Sequence, residues 1–233
     1  MLILGIESAG AQVGCAVGGH EGVLASAHSG RGRRHAEALA PQIEFVCRQA
    51  GIELSEVGAV AVDVGPGLFT GLRVGIATAV ALAYALGVPM IPVPSLDLMA
   101  FPARWTTRLI VPALDARRGE LFTALFRRVP GGIQRVREAD VGTPDELSAE
   151  LEALDEPTLL LGDGALRYAE RFTGLRAMEM AEQGLANPSA RSLVQLAHAR
   201  AMREEFVQPW ELEPTYLRQP DVQINWATRE GGA

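Results

Sequence analysis

Val62-Asp63-Val64-Gly65-Pro66-Gly67-Leu68-Phe69-Thr70-Gly71-Leu72-Arg73-Val74-Gly75 is the stretch that decides the fold. A valine-rich run of strand length, residues 59–64, is broken by Gly65-Pro66-Gly67, and the spacing beyond it predicts a helix over 70–86, closed by Gly87 and Pro89. A buried strand turning through glycine into a helix is the βα step of an α/β protein. The turn itself has two readings. Glycines there let backbone N–H groups approach an anion at a helix N-terminus, and they equally suit any tight strand-to-helix connection.

Upstream, residues 2–7, 12–17 and 23–29 are apolar runs of strand length with glycines at the turns. Residues 35–50 place Leu39, Ile43, Val46 and Cys47 at helical spacing and end at Gly51, and 90–93 is a short strand. The second half repeats the order. Residues 109–114, 120–128 and 133–138 read as strands, and Thr143 with Glu146 at N3 starts a helix carrying Leu147, Leu151 and Leu154. A strand at 158–161 leads through Gly162-Asp163-Gly164 into a short helix to Phe172, and Asn187-Pro188-Ser189 opens a helix to Phe206. Two tandem βββαβα units predict a duplicated α/β fold with a crevice between them. The expected division is an N-terminal lobe over 1–104, a C-terminal lobe over 105–218, and an extended or disordered tail over 219–233.

Composition narrows the chemistry. All 21 basic residues are arginine and none is lysine, which excludes a P-loop lysine and lysine Schiff-base chemistry. A net charge of −7 argues against a freestanding nucleic-acid binder. Eight arginines against two acids over 104–137 give +6, and twelve acids against three arginines over 138–182 give −9. These stretches are solvated faces or docking surfaces, with the basic one the side to face RNA. Cys15 and Cys47 sit among apolar residues, as buried small hydrophobes do. The 23 uncharged residues 74–96 are interrupted by Gly87, Pro89, Pro92 and Pro94, so no membrane span is expected and the protein reads as cytoplasmic.

On the helix over 70–86, Gly71, Gly75, Ala79 and Ala83 recur every four residues, a stripe of small side chains that lets a second helix approach closely. Ala77, Ala81 and Ala85 carry the small character onto another face, and Arg73 is the helix's one charge. A helix apolar all round must be buried on every side. Burial inside its own domain covers one face of such a helix, and covering both within one lobe is harder, so the expectation is an intermolecular contact through Gly71, Gly75, Ala79 and Ala83, with Leu39, Ile43 and Val46 as a companion patch. At the end of the first strand, Glu7-Ser8 is either a polar turn or a holder of a metal-bound phosphate. His20, His28, His35 and His198 lack the spacing of a metal site, so no metal centre is expected. Asp115-Ala116-Arg117-Arg118-Gly119-Glu120 reads as a hairpin turn closed by salt bridges, with a phosphate-facing role as the alternative.

Ile3-Leu4-Gly5-Ile6-Glu7-Ser8, Arg34-His35-Ala36-Glu37-Ala38-Leu39-Ala40-Pro41, the Val62–Gly75 stretch and Asp115–Glu120 together resemble the TsaB (YeaZ) family, as do Gly162-Asp163-Gly164 and Tyr216-Leu217-Arg218. The resemblance runs along essentially the whole chain. It implies the actin-like (ASKHA) fold and a part in placing a threonylcarbamoyl group on N6 of adenosine 37 in tRNAs reading codons that begin with A. The implied part is that of a non-catalytic scaffold. Its expected partners are a TsaD-like catalytic subunit, a TsaE-like ATPase, a second copy of itself in isolation, and tRNA through the assembled complex. Threonylcarbamoyl-adenylate is the implied donor.

Similar TsaD chains carry an H-x-x-x-H metal pair where this sequence has Ser95 and Met99. Glu7, Ser8, Asp115 and Gly162 are the positions of a possible vestigial nucleotide site. No catalytic residue and no cofactor are expected of this chain, ATP and magnesium entering at the level of the complex. An independent actin-like ATPase or phosphotransferase is the alternative, followed by a glycoprotease-like metallopeptidase.

Overall fold

The first strand, β1 (Leu2–Glu7), is buried on both faces from Ile3 onward, as a strand between two covering layers must be. It pairs antiparallel with β2 (Val13–Gly19), which pairs antiparallel with β3 (Gly22–Ser29), an edge strand with one wet face. After α1 (His35–Ala50), β4 (Val57–Asp63) returns parallel to β1. Then α2 (Phe69–Leu86) leads to β5 (Met90–Val93), parallel to β4. The resulting order is β3-β2-β1-β4-β5. In the computed structural model, residues 1–30 and 35–217 are described. Arg34, Arg218 and the tail over 219–233 lie outside them.

The second sheet repeats the first. β6 (Leu109–Arg117), β7 (Glu120–Val129) and β8 (Gly132–Gly142) form the antiparallel meander, α4 (Pro144–Leu154) follows, and β9 (Thr158–Leu161) pairs parallel to β6. After α5 (Asp163–Arg167), β10 (Met178–Met180) closes the order β10-β9-β6-β7-β8. Two copies of one order give the actin-like architecture expected from the duplicated pattern. The start of α4 is the anticipated capping box: Thr143 Oγ1 accepts from Glu146 N at 3.2 Å, and Glu146 Oε2 accepts from Thr143 N at 2.7 Å. Thr143→Ala should cost about 1 kcal/mol and lower the thermal midpoint by roughly 2–4 °C in a melt followed by circular dichroism.

Three elements depart from the sequence expectation. α3 (Ser95–Ala100) follows β5 directly, β10 is only three residues long, and α6 (Ala190–Ala201) is shorter than expected. Instead of continuing to Phe206, the chain turns after Ala201 so that Val207 and Met90 exchange two backbone hydrogen bonds of 2.9 Å. Although α6 belongs to the second half by sequence, it packs on β1, β2 and β3 of the first sheet. There the Val194 side chain lies so close to Gly5 that a Cβ on Gly5 would be 2.9 Å from it.

α2 has the length and composition of a membrane-crossing helix. One side of it, Gly71, Leu72, Gly75, Ala79 and Ala83, is buried and faces β4 and β1. The tightest contact is at Gly75, where a Cβ would overlap the Ser8 hydroxyl oxygen. Leu39, Ile43 and Val46 of α1 enter the same core. The small-residue stripe and its companion patch therefore seal the chain's own sheet, contrary to the expectation that they form a surface for another molecule. Small side chains at every fourth position permit close approach of any flat neighbour, and here that neighbour is a sheet.

Candidate functional site

β1 and β4 run parallel with Ile6 opposite Val62, so Glu7 and Asp63 follow as neighbours at the C-terminal ends of adjacent strands. Both are buried, at 0% and 2% exposure. Glu7 Oε1 accepts from Ala9 N at 2.8 Å, whereas Asp63 Oδ1 accepts from Gly65 N at 2.8 Å and from the Ser95 hydroxyl at 2.5 Å. Among the described residues, Glu7 Oε2 and Asp63 Oδ2 have no hydrogen-bond partner. Burial raises the Glu7 carboxyl well above the ordinary range, and the Asp63 charge pushes it further. Burial lifts Asp63 to about 7, against the pull of its bonds from Ser95 and Gly65. Two like charges this enclosed do not both ionise, so the pair holds a proton at neutral pH.

The same ends carry a second acidic pair on the other sheet. Asp163, at the start of α5, accepts from Asp115 N at 2.9 Å through Oδ1. Asp115 in turn accepts from Arg117 N at 2.9 Å and pairs with the Arg117 guanidinium at 3.1 Å and that of Arg167 at 3.6 Å. The Asp115–Glu120 turn is thus closed by a salt bridge. Gly162 holds φ +116°, and a Cβ there would run into the Ala113 carbonyl. A side chain at this position would prevent the end of β9 from lying against β6.

The four expected nucleotide-site residues thus fall into two groups, Glu7 with Ser8 on the first sheet and Asp115 with Gly162 on the second. The first group does not fit a phosphate. Ser8 spends its hydroxyl on the Gly71 carbonyl at 2.8 Å, and Ala9 spends its amide on Glu7. The β1–β2 turn is covered as well, since Leu68 N donates to the Ala9 carbonyl at 2.7 Å. The donors at this strand end are thus spent within the chain, and the two carboxyls beside them are buried acceptors rather than donors to an anion. Ser95 and Met99, the positions compared with metal-binding histidines, are buried, one bonded to Asp63 and the other against Gly162. Among the described residues no group of three or more His, Cys, Asp and Glu could hold a metal ion.

The outward side of the two N-terminal helices is different. Phe69 and Tyr84 on α2 and Phe45 on α1 are exposed at 42%, 74% and 42%, and Ala77, Ala81 and Ala85 lie exposed on α2. Between α1 and α2 runs a cavity of about 470 Å³, lined by Ile43, Cys47, Ile52, Leu54, Thr78 and Leu82 among others. Arg73 covers the Phe69 ring at 3.9 Å, and Tyr216 approaches the same ring at 5.8 Å. These apolar groups lie on the side of the helix pair that faces away from the first sheet.

The model of the TsaD family, tRNA N6-adenosine threonylcarbamoyltransferase, matches residues 26–226. The tRNA threonylcarbamoyladenosine biosynthesis protein TsaB of Escherichia coli is 30% identical over 80% of this chain and 81% of that protein. The solved structure of YeaZ from Pseudomonas aeruginosa superposes with a TM-score of 0.82 at 26% identity, covering 93% of this chain and 99% of that one. The chain belongs to the TsaB (YeaZ) family. An uncharacterized Mycobacterium leprae protein is also similar, 32% identical over 98% of this chain, and the chain spans only 58% of its length.

Within this TsaB-family fold, sequence reasoning reached Glu7 but missed its partner, Asp63, and the bond from Ser95. The available signal was an acid at the end of a buried strand, immediately before the Gly-Pro-Gly turn. It becomes meaningful only when β4 is placed beside β1. The basic stretch over 104–137 also changes meaning. Arg108 pairs with Glu179, Arg117 with Asp115, Arg127 with Glu156, Arg135 with Asp97 and Arg137 with Glu150. Three of these pairs, from Arg108, Arg127 and Arg137, join the basic stretch to the acidic one, so part of the separation seen in sequence is cancelled in space.

Proposed function

We propose that this chain is a non-catalytic scaffold and dimerisation subunit of the assembly that adds a threonylcarbamoyl group to N6 of adenosine 37 in tRNA. In this reading it pairs with a TsaD-like catalytic subunit, is joined by a TsaE-like ATPase, and self-associates when alone. The observation that carries the scaffold role is the exposed apolar side of α1 and α2, with Phe45, Phe69, Ala77, Ala81 and Tyr84 at its surface. Two helices presenting small residues between aromatic anchors suit packing against a second helix pair. The names of the relatives support the pathway. The inward commitment of Glu7, Ser8 and Asp63 supports the non-catalytic role, since a general acid or base must reach the proton it transfers.

The test is reconstitution of the modification with and without this chain. Loss of threonylcarbamoyladenosine when the chain is omitted is expected, and undiminished formation would overturn the reading. Ala81→Trp, on the exposed side of α2, should melt like the parent yet fail to co-purify with the TsaD-like subunit. Normal co-purification would place the contact elsewhere.

A further inference from the structure

Arg108, Arg117, Arg127, Arg135 and Arg137 pair with acids. Among the described residues, Arg104 and Arg128 have no acidic partner. They converge on one cavity of about 350 Å³, formed by the connection into β6 and by the β7–β8 turn, and lined by Arg104, Trp105, Arg128, Val129, Pro130, Gly131 and Gly132. No acid lines it. Trp105 is 76% exposed, a cost in water that most tryptophans avoid. Its ring is held by Arg104, whose guanidinium lies 4.7 Å from it and 4.1 Å from Phe101, and which donates to the Phe101 carbonyl at 3.0 Å. Gly131 and Gly132 leave open space on the other wall, with no atom within 4 Å of where a Cβ would be.

We propose that this cavity binds an unpaired nucleotide of the RNA substrate, with the base stacked on Trp105 and its phosphates set against Arg104 and Arg128. An exposed indole with one guanidinium stacked on it and a second lining the same cavity, neither with an acidic partner among the described residues, matches a single-stranded nucleotide on both counts, a free aromatic surface and an anionic backbone. It does not match an acidic peptide as well, which needs the cations but not the open ring. The cavity lies within the size range of small-ligand sites. The acidic chain as a whole repels RNA, so the contact is local and serves positioning rather than bulk affinity. The proposal rests on the reading that the chain serves a tRNA-modifying assembly.

The experiment measures binding of an unmodified, fluorescently labelled anticodon stem–loop to the assembled complex and to the full-length chain, over a series of salt concentrations. Trp105→Ala should weaken binding about 5- to 150-fold, the range of one lost base–aromatic stack, while Trp105→Phe keeps most of it. Arg128→Glu, at an exposed position needing no repacking, should lower the log–log salt slope by about 0.7, and adding Arg104→Glu should bring the reduction to about 1.4. Melting curves equal to the parent's establish that the variants are folded.

Unchanged binding in Trp105→Ala overturns the stacking site, even if the charge reversals weaken binding. Loss of co-purification with the TsaD-like subunit, with RNA binding retained, overturns it in favour of a protein contact. If omitting the chain leaves tRNA modification intact, the scaffold reading fails. If omission abolishes modification and the cavity variants bind RNA as the parent does, only the present inference fails.

Discussion

Gly75→Val is expected to unfold the first half of the molecule rather than to detach a partner from it. A Cβ at Gly75 overlaps the Ser8 hydroxyl, and the valine methyls add volume where α2 meets β1. Overpacking costs about 1–3 kcal/mol in a close-packed interior. Displacing Ser8 also breaks the bond its buried hydroxyl donates to the Gly71 carbonyl, which leaves that hydroxyl without an acceptor at a further cost of about 1–3 kcal/mol. The combined loss is a large part of the stability of an ordinary domain. Urea titration followed by circular dichroism should show a much lower midpoint, or no folded baseline. Ala81→Trp, one turn and a half away on the exposed side, should show an unchanged midpoint. Equal stability of Gly75→Val and the parent would mean that α2 does not seat on β1 as described.

The second large effect is on pH. Asp63 and Glu7 have folded-state pKa values raised above those of the unfolded chain, because burial penalises their charged forms. In the window between the ordinary carboxylate pKa and about 7, the native state therefore binds more protons than the unfolded state. Stability contributed by the Asp63 proton is fully present below about pH 4 and is lost as the pH rises through about 7, and that of the Glu7 proton is lost in the same direction. Each pH unit of that window is about 1.4 kcal/mol per proton. The thermal midpoint should fall between pH 5 and pH 8, with each kcal/mol lost lowering it by roughly 2–4 °C. Asp63→Asn removes one charge while keeping an oxygen to accept from Gly65 and Ser95, and should flatten the profile. A midpoint that rises from pH 5 to pH 8, or an Asp63→Asn profile as steep as the parent's, would show that the pair is not protonated in the fold.

Much of the architecture was legible because glycine and proline punctuate it. Gly51, Gly65-Pro66-Gly67 and Gly87 bound α1, β4 and α2 within a residue or two, and Thr143 with Glu146 fixed the start of α4. α3 escaped because six residues after a proline carry too little periodicity, and β10 because three residues form a strand only against β9. The small-residue stripe of α2 reads in sequence as a face for a partner, but it seats on the chain's own sheet. Spacing identifies a stripe of small residues but is silent on whether a sheet or a second molecule fills it. The Glu7–Asp63 pair was hidden for a related reason: 56 positions separate the two acids, and only the parallel pairing of β1 with β4 joins them. The pairing of Arg127 with Glu156 and of Arg137 with Glu150 likewise depends on the folded second sheet.

The return of α6 to the first sheet has a consequence for how the protein is made. β1, β2 and β3 are complete early in synthesis, but the face over Gly5 and Gly18 remains bare until Val194 and Leu193 arrive to cover it. Until residues 190–201 have left the ribosome, the first sheet exposes an apolar surface that nothing encoded before it can close. The first-made sheet is thus covered by a helix that follows the whole second sheet in the chain. Cutting the chain after residue 104 would strip that cover from the half that remains. The first sheet and α6 mature together, with all the strands of the second sheet made between them.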